Sequence, residues 1–508
     1  MRLSRLVMTL VLALPLVATT ASAASTSRMP ITLTSVLPAV AEAVPSPGDD
    51  FRITGRTTVS APDSVAGQLA DALRPATGFD LPLVPAGGDI DLALEPGHGD
   101  EGYRLTVRKS GVDLRATAPA GLFNGVQTLR QLLPAAAEAG APIIPGGTID
   151  DRPRYAYRGT MLDLARHFHT PDEIRRYIDQ ISRFKINYLH LHLGDDQGWR
   201  IEIDAWPRLT TVGGGPGTGV GGDGGGFLTK DDYRGLVRYA AERFVTIVPE
   251  IDMPGHVNAA QVAYPELTCD GVAPRARTDM RVGYSTLCVR AEITYRFLDD
   301  VLRELAEMTP GPYLHIGGDE TFATPHGSYL AFQRRLLPLV RKHGKIPYGW
   351  HEIGQSPAAG DARLQFWGRE RNNPSVTSAV AAGAKVIMSP SEHTYLDMKY
   401  DNFTPGGLDW AGAIEVSTAY GWDPATQLGG IPESSVIGVE APLWSETLRS
   451  LADIEFLAFP RLVAIAEIGW SPRATHDWDS FRARLGAYGP RWVRDGVRFH
   501  RSPEIRWS

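Results

Sequence analysis

The chain has 508 residues, of which 43% are hydrophobic and 21% are charged. This length accommodates a barrel domain of about 300 residues and a smaller companion domain, and the composition is that of an ordinary globular protein. The net charge is −7 and no block of basic residues is present, which argues against a protein that binds nucleic acid.

The N-terminus has the pattern of an export signal. Arg2 and Arg5 precede an apolar run over residues 6–17, and a small-residue cleavage pattern ends at Ala23 and Ala24. The apolar run is shorter than the roughly 20 residues that span a bilayer, which favours a cleaved signal over an anchor. The sequence therefore predicts a signal peptide over residues 1–24, a secreted protein, and a flexible leader over residues 25–50, which are rich in Ser, Ala and Pro.

The chain contains only two cysteines, Cys269 and Cys288. In an exported protein a lone pair is more often a disulfide than a metal site. We expect a disulfide that closes a loop of about 20 residues and stabilises it by about 3 kcal/mol. Two free thiols are the alternative.

Residues 51–150 predict a small α+β domain. The segments Tyr103–Arg108 and Val112–Thr117 alternate between apolar and polar residues around a short turn, which is typical of a β-hairpin. Apolar residues at helical spacing follow from Leu122 to Leu132. No catalytic constellation is found here, and the Pro- and Gly-rich passage from Pro134 to Pro153 is a suitable domain boundary.

Residues 151–508 predict an α/β catalytic domain of the (β/α)8 TIM-barrel type with a C-terminal helical segment. The prediction rests on eight apolar, strand-like runs with helical patterns between several of them. A doubly wound sheet is the competing fold, but it would show fewer strands and a Gly-rich nucleotide turn near its start. The eight runs are Thr160–Ala165, Asn187–Leu193, Val245–Ile251, Pro312–Ile316, Ile346–Trp350, Arg363–Trp367, Lys385–Met388 and Val436–Val439.

Two adjacent carboxylates, Asp319 and Glu320, follow the fourth run and two glycines. Neighbouring residues of an extended chain point in different directions, so the pair indicates two separate roles rather than one shared metal. The alternative is a helix N-terminus, where acidic residues complement the helix dipole.

Polar and aromatic residues also follow almost every other run. In a barrel, side chains at the carboxyl ends of the strands converge on one mouth. The residues concerned are Arg166, Asp195, His256, Trp350, Trp367, Tyr395, Asp397, Trp444 and Glu446.

Aromatic faces fit the C–H groups of a sugar ring, and hydroxyls fit charged hydrogen-bonding partners, so this set indicates glycoside hydrolysis. The usual scheme needs two carboxyl groups on opposite sides of the scissile bond. Asp319 and Glu320 come from one side and fit that scheme poorly. A substrate-assisted route fits better, in which Glu320 protonates the leaving oxygen and the sugar's own 2-acetamido oxygen attacks C1.

Four motifs carry a family resemblance. The segments His315–Glu320, Leu162–Phe168, Leu189–Trp199 and Trp444–Glu446 resemble those of the glycoside hydrolase family 20 β-N-acetylhexosaminidases of the secreted actinobacterial kind, over roughly residues 50–500. The resemblance implies a (β/α)8 barrel preceded by a small α/β domain. It implies release of terminal β-linked GlcNAc or GalNAc from oligosaccharides or glycoconjugates with retention, without cofactor or metal and without membrane attachment after signal removal.

The resemblance also implies roles for individual residues. Glu320 resembles the general acid/base, Asp319 the carboxylate that orients the acetamido group, and Asp195 and His256 a dyad behind Glu320. The substrate-binding residues that it implies are Arg166 and Glu446 for the ring hydroxyls, Asp397 for the 4- or 6-hydroxyl, Tyr395 for the acetamido carbonyl, Trp350, Trp367 and Trp444 for the acetyl pocket, and Trp410 under the sugar of the leaving group.

Two other classes of protein remain to be separated from this one. A metal-dependent barrel hydrolase could use the paired imidazoles of His190 and His192 together with Asp195, His256 and Asp319. Its tryptophan-rich mouth would then serve no purpose. A sugar-binding protein without catalysis would keep the tryptophans and have no need of the acid pair.

Overall fold

The computed structural model describes residues 30–136, 141–222 and 224–507. The predicted signal peptide, residues 1–24, lies outside the described residues. The described chain forms a first domain built on a six-stranded sheet and a second domain built on a closed barrel of eight strands.

The first domain is the predicted α+β unit. Its sheet has the order β1-β8-β5-β6-β4-β3, and β2 and β7 form a separate antiparallel pair. The hairpin is confirmed, since β5 pairs with β6 in antiparallel register. Helix α2 packs against the sheet, and α1 packs against α2. The elements are β1 (Glu42–Pro45), β2 (Phe51–Arg52), β3 (Val59–Ser60), α1 (Asp63–Thr77), β4 (Ile90–Leu94), β5 (Tyr103–Arg108), β6 (Gly111–Ala116), α2 (Pro119–Gln131), β7 (Ile143–Ile144) and β8 (Gly147–Asp151).

The flexible leader predicted over residues 25–50 is wrong for its described part. From residue 30 onward this segment belongs to the first domain, because β1 pairs with β8 and the side chains of Leu33, Val36 and Val40 are buried in the domain core. The burial of these apolar residues outweighs the Pro- and Ser-rich composition on which the prediction rested.

The second domain confirms the (β/α)8 barrel. All eight predicted runs form strands, each parallel to its neighbours, in the closed order β10-β11-β12-β13-β14-β15-β16-β9. The largest difference is in the first strand, which begins three residues before the prediction. The strands are β9 (Tyr157–Asp163), β10 (Tyr188–His192), β11 (Thr246–Glu250), β12 (Tyr313–His315), β13 (Ile346–Trp350), β14 (Arg363–Phe366), β15 (Lys385–Met388) and β16 (Val436–Ala441).

Helices surround the barrel and begin where the sequence supplies caps. Thr170 and Glu173 form a reciprocal capping box at the start of α3, and Thr229 and Asp232 do the same for α5. The helices are α3 (Pro171–Ser182), α4 (Arg208–Thr211), α5 (Lys230–Ala241), α6 (Asn258–Ala263), α7 (Glu292–Met308), α8 (His326–Lys342), α9 (Pro374–Ala381), α10 (Ser391–Thr394), α11 (Val416–Tyr420), α12 (Pro424–Gln427), α13 (Leu451–Ala458), α14 (Arg461–Trp470) and α15 (Trp478–Arg494), with 3-10 turns at Val220–Gly222, Pro265–Leu267, His351–Gln355, Pro357–Ala359, Glu433–Ser435 and Arg473–Thr475.

The interior of the barrel changes character along its axis. At the amino end of the strands, Tyr157, Tyr188, Tyr313 and Tyr348 pack as an aromatic cluster. The carboxyl ends of the strands carry the predicted site residues. Every helix in the described part of the chain is too short or too polar to cross a membrane.

Candidate active site

The turn after β12 carries the acid pair. Gly317 has a φ of 60°, and a Cβ at this position would lie 1.8 Å from Oδ1 of Asp252, so only glycine fits. The backbone N–H of Gly318, with a φ of 104°, donates a hydrogen bond of 2.9 Å to the same oxygen. Glu320 itself has a left-handed φ of 44°, an uncommon conformation for a non-glycine residue. The next helix, α8, begins only at residue 326, so the two acids do not cap a helix.

Asp319 forms a carboxylate pair with Asp252. Its side chain is 11% exposed, and burial raises its pKa to about 6. The pKa of Asp252 is raised well above its ordinary value, by burial and by the charge of Asp319. Two carboxylates in contact share a proton, and Asp252 is the member that binds it more tightly, which leaves Asp319 available as an anion. Sequence reasoning missed Asp252, although it lies two residues beyond the end of β11.

Glu320 has the proton affinity of a general acid. Its side chain is 27% exposed, and its pKa is raised to about 7, first by burial and second by the negative charge of Asp319. Burial is the larger of these two causes. A carboxylic acid that is protonated near neutral pH can donate a proton in mildly acidic solution.

His256 and Asp195 stand behind Glu320, as the family resemblance implies. Nε2 of His256 lies 3.6 Å from Oε2 of Glu320, and its Nδ1 lies 3.2 Å from Oδ1 of Asp195. Burial would lower the pKa of His256, but the charges of Asp195 and Asp252 raise it well above the usual value. The imidazolium therefore faces Glu320 with its remaining N–H.

Arg166 is buried at the side of the mouth. Its Nη2 contacts Oδ2 of Asp195 at 2.8 Å, its Nη1 contacts Oδ2 of Asp163 at 3.4 Å, and its Nε donates to Gln197 at 3.1 Å. These contacts use three of the five N–H groups of the guanidinium, which leaves two for a ligand. The guanidinium also lies 4.8 Å from the centre of the Trp444 ring.

Two further acids face this end of the mouth. Burial, together with the charge of Glu446, raises the pKa of Asp397 well above its ordinary value. Burial also raises the pKa of Glu446 itself, which Arg166 partly offsets. Among the described residues, one carboxylate oxygen of each is buried without a protein partner, Oδ2 of Asp397 and Oε2 of Glu446. Buried polar atoms are usually paired, so these oxygens point to hydroxyl groups of a ligand.

The predicted aromatic residues assemble into one group. Trp350 and Trp444 have ring centres 5.7 Å apart, and Trp410 meets Tyr395 at 5.5 Å and Trp367 at 6.2 Å, edge to face in both cases. Trp350 is completely buried and forms the packed base of the group, whereas Trp410 is 46% exposed at its rim. The carboxylate of Asp319 acts on the Tyr395 hydroxyl and helps burial to raise its pKa.

Glu352 is a second residue that sequence reasoning missed. It lies in the 3-10 turn directly after β13, two residues beyond Trp350, and its carboxylate accepts a hydrogen bond of 3.1 Å from the indole N–H of Trp367. Burial raises its pKa to about 7, and the charge of Glu320 contributes. Its position after a barrel strand was the signal that could have identified it.

Cys269 and Cys288 form the predicted disulfide. The loop that they close reaches the active site. The backbone carbonyl of Asp279 in this loop accepts a hydrogen bond of 2.8 Å from the side chain of Gln197, which in turn holds Arg166. The disulfide therefore restrains a segment that positions a site residue.

The donors of the metal-site alternative do not form one group. His190 and His192 contact the buried carboxylates of Glu440 and Glu250 inside the barrel. In the described part of the chain, no set of closely spaced metal-ligating atoms contains both this histidine pair and Asp319. Both imidazoles are completely buried inside the barrel.

Fold and site together define a glycoside hydrolase built on a (β/α)8 barrel. The catalytic domain of glycosyl hydrolase family 20 matches residues 155–329 and 323–473, and domain 2 of the same family matches residues 33–152. The chain belongs to glycosyl hydrolase family 20.

Named relatives agree with this assignment. The chain is 41% identical to a β-N-acetylhexosaminidase from Cellulomonas fimi over 471 residues, which cover 91% of this chain and 94% of that protein. It is similar to a mutant β-hexosaminidase from Streptomyces plicatus in complex with the product GlcNAc, with 51% identity, a TM-score of 0.91 and coverage of 94% of this chain and 99% of that chain. A GH20 β-N-acetylhexosaminidase from Streptomyces coelicolor A3(2) gives the same identity and TM-score and is covered completely.

Proposed function

We propose that this chain removes terminal, non-reducing β-linked N-acetylhexosamine residues, GlcNAc or GalNAc, with retention of configuration and by substrate-assisted catalysis. The observation that carries the proposal is the pairing of a neutral acid with an adjacent anion at one mouth. Glu320 has a pKa of about 7, and Asp319, supported by Asp252, precedes it in the chain and acts on Tyr395 of the aromatic group.

In the first step, the carbonyl oxygen of the 2-acetamido group forms a bond to C1 while the bond from C1 to the glycosidic oxygen breaks. The departing oxygen takes the proton of Glu320. Asp319 accepts a hydrogen bond from the acetamido N–H and stabilises the positive charge of the oxazolinium ion, and the Tyr395 hydroxyl donates to the acetamido carbonyl.

In the second step, water attacks C1 from the side that the leaving group has vacated. The Glu320 carboxylate accepts the proton of this water, and the bond between C1 and the acetamido oxygen breaks. Two inversions at C1 give net retention. His256 and Asp195 stabilise Glu320 in the ionised form that it holds between the two steps.

A direct double displacement would need a carboxylate nucleophile near the mouth, and Glu352 is the residue to consider. Its pKa of about 7 keeps it largely protonated in mildly acidic solution, and it already accepts the indole N–H of Trp367. A protonated, hydrogen-bonded acid is a poor nucleophile. The neighbouring acetamido oxygen is therefore the better candidate.

The remaining residues recognise the sugar. Arg166 offers its two free N–H groups to the 3- and 4-hydroxyls, with Glu446 at the same end, and the unpaired oxygen of Asp397 accepts from the 4- or 6-hydroxyl. Trp367 and Trp444, on the base formed by Trp350, enclose the acetyl methyl group. A methyl group in an apolar pocket contributes about 1–3 kcal/mol to discrimination. Exposed Trp410 stacks under the sugar of the leaving group.

Hydrolysis of 4-nitrophenyl β-N-acetylglucosaminide tests the proposal, with the matched β-glucoside as control. We expect cleavage of the first substrate only, release of the β-anomer as the first product in NMR spectra, and strong inhibition by a thiazoline mimic of the bicyclic intermediate. First release of the α-anomer, or comparable cleavage of the glucoside, would contradict substrate assistance. Binding without hydrolysis would favour the sugar-binding alternative.

We further propose that the natural substrates are chitin-derived oligosaccharides or glycoconjugates and that the protein is exported. The first part rests on the half-exposed Trp410 at the rim of the aromatic group, and the second on the N-terminal pattern and the disulfide. Product analysis on chitooligosaccharides against galactosaminides tests the first. N-terminal sequencing of the protein from culture medium tests the second, with a start near residue 24 or 25 as the expected result.

A further inference from the structure

Beneath the acid pair, the barrel interior holds a chain of histidines and carboxylates that the mechanism above does not use. Glu250, at the end of β11, lies 2.6 Å from His192, 3.0 Å from His190 and 2.7 Å from His315. In addition to this contact with Glu250, His190 lies 2.8 Å from a second carboxylate, that of Glu440. All five side chains are completely buried.

His192 connects this chain to the active site. Its Nδ1 is hydrogen-bonded to Oε2 of Glu250 at 2.6 Å, and its Nε2 is hydrogen-bonded to Oδ2 of Asp195 at 2.9 Å. A neutral imidazole donates from one nitrogen only, whereas an ionised carboxylate only accepts. Both ring nitrogens must therefore donate if Glu250 and Asp195 are ionised, and His192 is then an imidazolium ion.

The charges of the two neighbours support this state. Burial would raise the pKa of Glu250 and that of Asp195, but the imidazoles around Glu250 and the Arg166 guanidinium at Asp195 lower both pKa values well below the usual range. Burial would lower the pKa of His192, yet Glu250 and Asp195 raise it well above its ordinary value. A buried charge is tolerated when it is paired and hydrogen-bonded, as it is here on both sides.

Asp195 is consequently held at four points. Its Oδ2 receives His192 at 2.9 Å and Arg166 at 2.8 Å, and its Oδ1 receives His256 at 3.2 Å and the backbone N–H of Asp196 at 2.5 Å. Because His192 and Arg166 both bind Oδ2 of Asp195, the other carboxylate oxygen, Oδ1, is directed at His256. The orientation of His256 toward Glu320 thus depends on a contact that comes from below the site.

We propose that Glu250 and His192 are positioning residues of the reaction, in which Glu250 holds His192 as a fixed imidazolium ion and this ion holds the Asp195–His256 pair behind Glu320. The inference rests on the proposed function for its kinetic consequences. The charged or titratable groups that face Glu250 are His190, His315, Asp252, Asp319 and Tyr348. Those that face His192 are Asp195 and Asp163. The ring of Trp444 covers one edge of His192, with ring centres 5.0 Å apart.

Glu250→Gln tests the proposal, with Glu440→Gln as the matched control. Both substitutions remove a completely buried carboxylate from the same interior network, but only Glu250 contacts His192. Glutamine can donate to Nδ1, so His192 becomes neutral and the positive charge under Asp195 is lost. The substitution removes one anion, Glu250, and one cation, His192, and the cation is the nearer of the two to Glu320 along the hydrogen-bonded chain. The pKa of Glu320 should therefore rise, because the loss of the nearer charge has the larger effect.

We expect Glu250→Gln to shift the basic limb of the kcat/KM profile upward by about half a pH unit or more. The value of kcat toward chitobiose should fall about tenfold, a part of the roughly 10²–10⁴-fold that a positioned general acid contributes. KM and the rate on a dinitrophenyl substrate, which needs little protonation, should change little. The control is compared under conditions in which both variants have lost the same thermal stability. Glu440→Gln should leave unchanged both the basic limb of the kcat/KM profile and the ratio of the rates on the two substrates.

Equal behaviour of the two variants, or an unmoved limb in folded Glu250→Gln protein, would overturn the proposal. A neutron structure of the unmodified protein gives a measurement that depends on neither variant. We expect hydrons on both ring nitrogens of His192. A hydron on only one of them would show that His192 is neutral and would refute the proposed imidazolium ion. If the unmodified protein fails to cleave N-acetylhexosaminides, the proposed function is wrong, while the neutron result still decides the charge of His192.

Discussion

Replacing Asp319 with asparagine removes the charge that the proposed mechanism places beside the oxazolinium ion and keeps the shape of the side chain. The side chain is only 11% exposed, so water screens it little, and the nearest cationic nitrogen, Nε2 of His256, lies 4.0 Å from Oδ2. At a similar separation of about 4 Å and an effective dielectric constant of about 20, a carboxylate stabilises a unit positive charge by about 4 kcal/mol. Each 1.4 kcal/mol or so corresponds to a tenfold change in rate, so kcat should fall about 10³-fold.

The same substitution should also change the pH dependence. Asp319 is the second cause of the raised pKa of Glu320, so its loss should lower that pKa from about 7 and move the basic limb of activity to lower pH. In the unmodified protein, the acid limb should lie near pH 6, where Asp319 gains its proton. Asp231→Asn, which removes one carboxylate that is 96% exposed, is the control and should change neither limb.

The assay is the initial rate on 4-nitrophenyl β-N-acetylglucosaminide as a function of pH, with circular dichroism and thermal unfolding to confirm that the Asp319→Asn protein is folded. A folded variant with more than about a tenth of the normal kcat would refute the electrostatic role, because a difference of about 1.4 kcal/mol or less cannot arise from the loss of a buried charge in contact with the intermediate.

Three further predictions follow from the site. Glu320→Gln should reduce the rate on chitobiose about 10²–10⁴-fold and the rate on a dinitrophenyl glycoside far less, and equal losses on both would argue against general acid catalysis. Exhaustive dialysis against EDTA should leave kcat unchanged, whereas a loss restored by added metal would revive the metal-dependent alternative. Cys269→Ser should lower the free energy of unfolding by about 3 kcal/mol in denaturant titrations. An unchanged free energy in this variant would show that the disulfide contributes no stability. The same conclusion would follow if reductant left the free energy of unfolding of the parent protein unchanged.

The sequence was sufficient for the features that depend on local periodicity. Eight apolar runs in alternation with helical patterns were enough to predict the barrel, because buried parallel strands read as continuous apolar segments wherever they occur. The acid pair at 319 and 320 was visible because both residues are adjacent in the chain. The disulfide followed from there being only two cysteines.

Features that depend on contacts between distant segments were not accessible from the chain. Residues 30–50 have the composition of a linker, yet they fold because their apolar side chains meet a core formed by residues far along the sequence. Asp252 and Glu352 follow barrel strands in the sequence, but this position alone does not show that their pKa values are raised. Burial, with the charge of Asp319 at Asp252 and that of Glu320 at Glu352, raises their pKa values in the folded protein.

The sequence by itself thus determined the elements of the barrel, their order and the residues that end each strand. Only the tertiary structure decided which charged side chains are buried inside the barrel. His192 bridges Glu250 and Asp195 only when β10 and β11 are paired. Dielectric screening and hydrogen-bond distances depend on three-dimensional packing, so the spacing of residues in the sequence does not predict them.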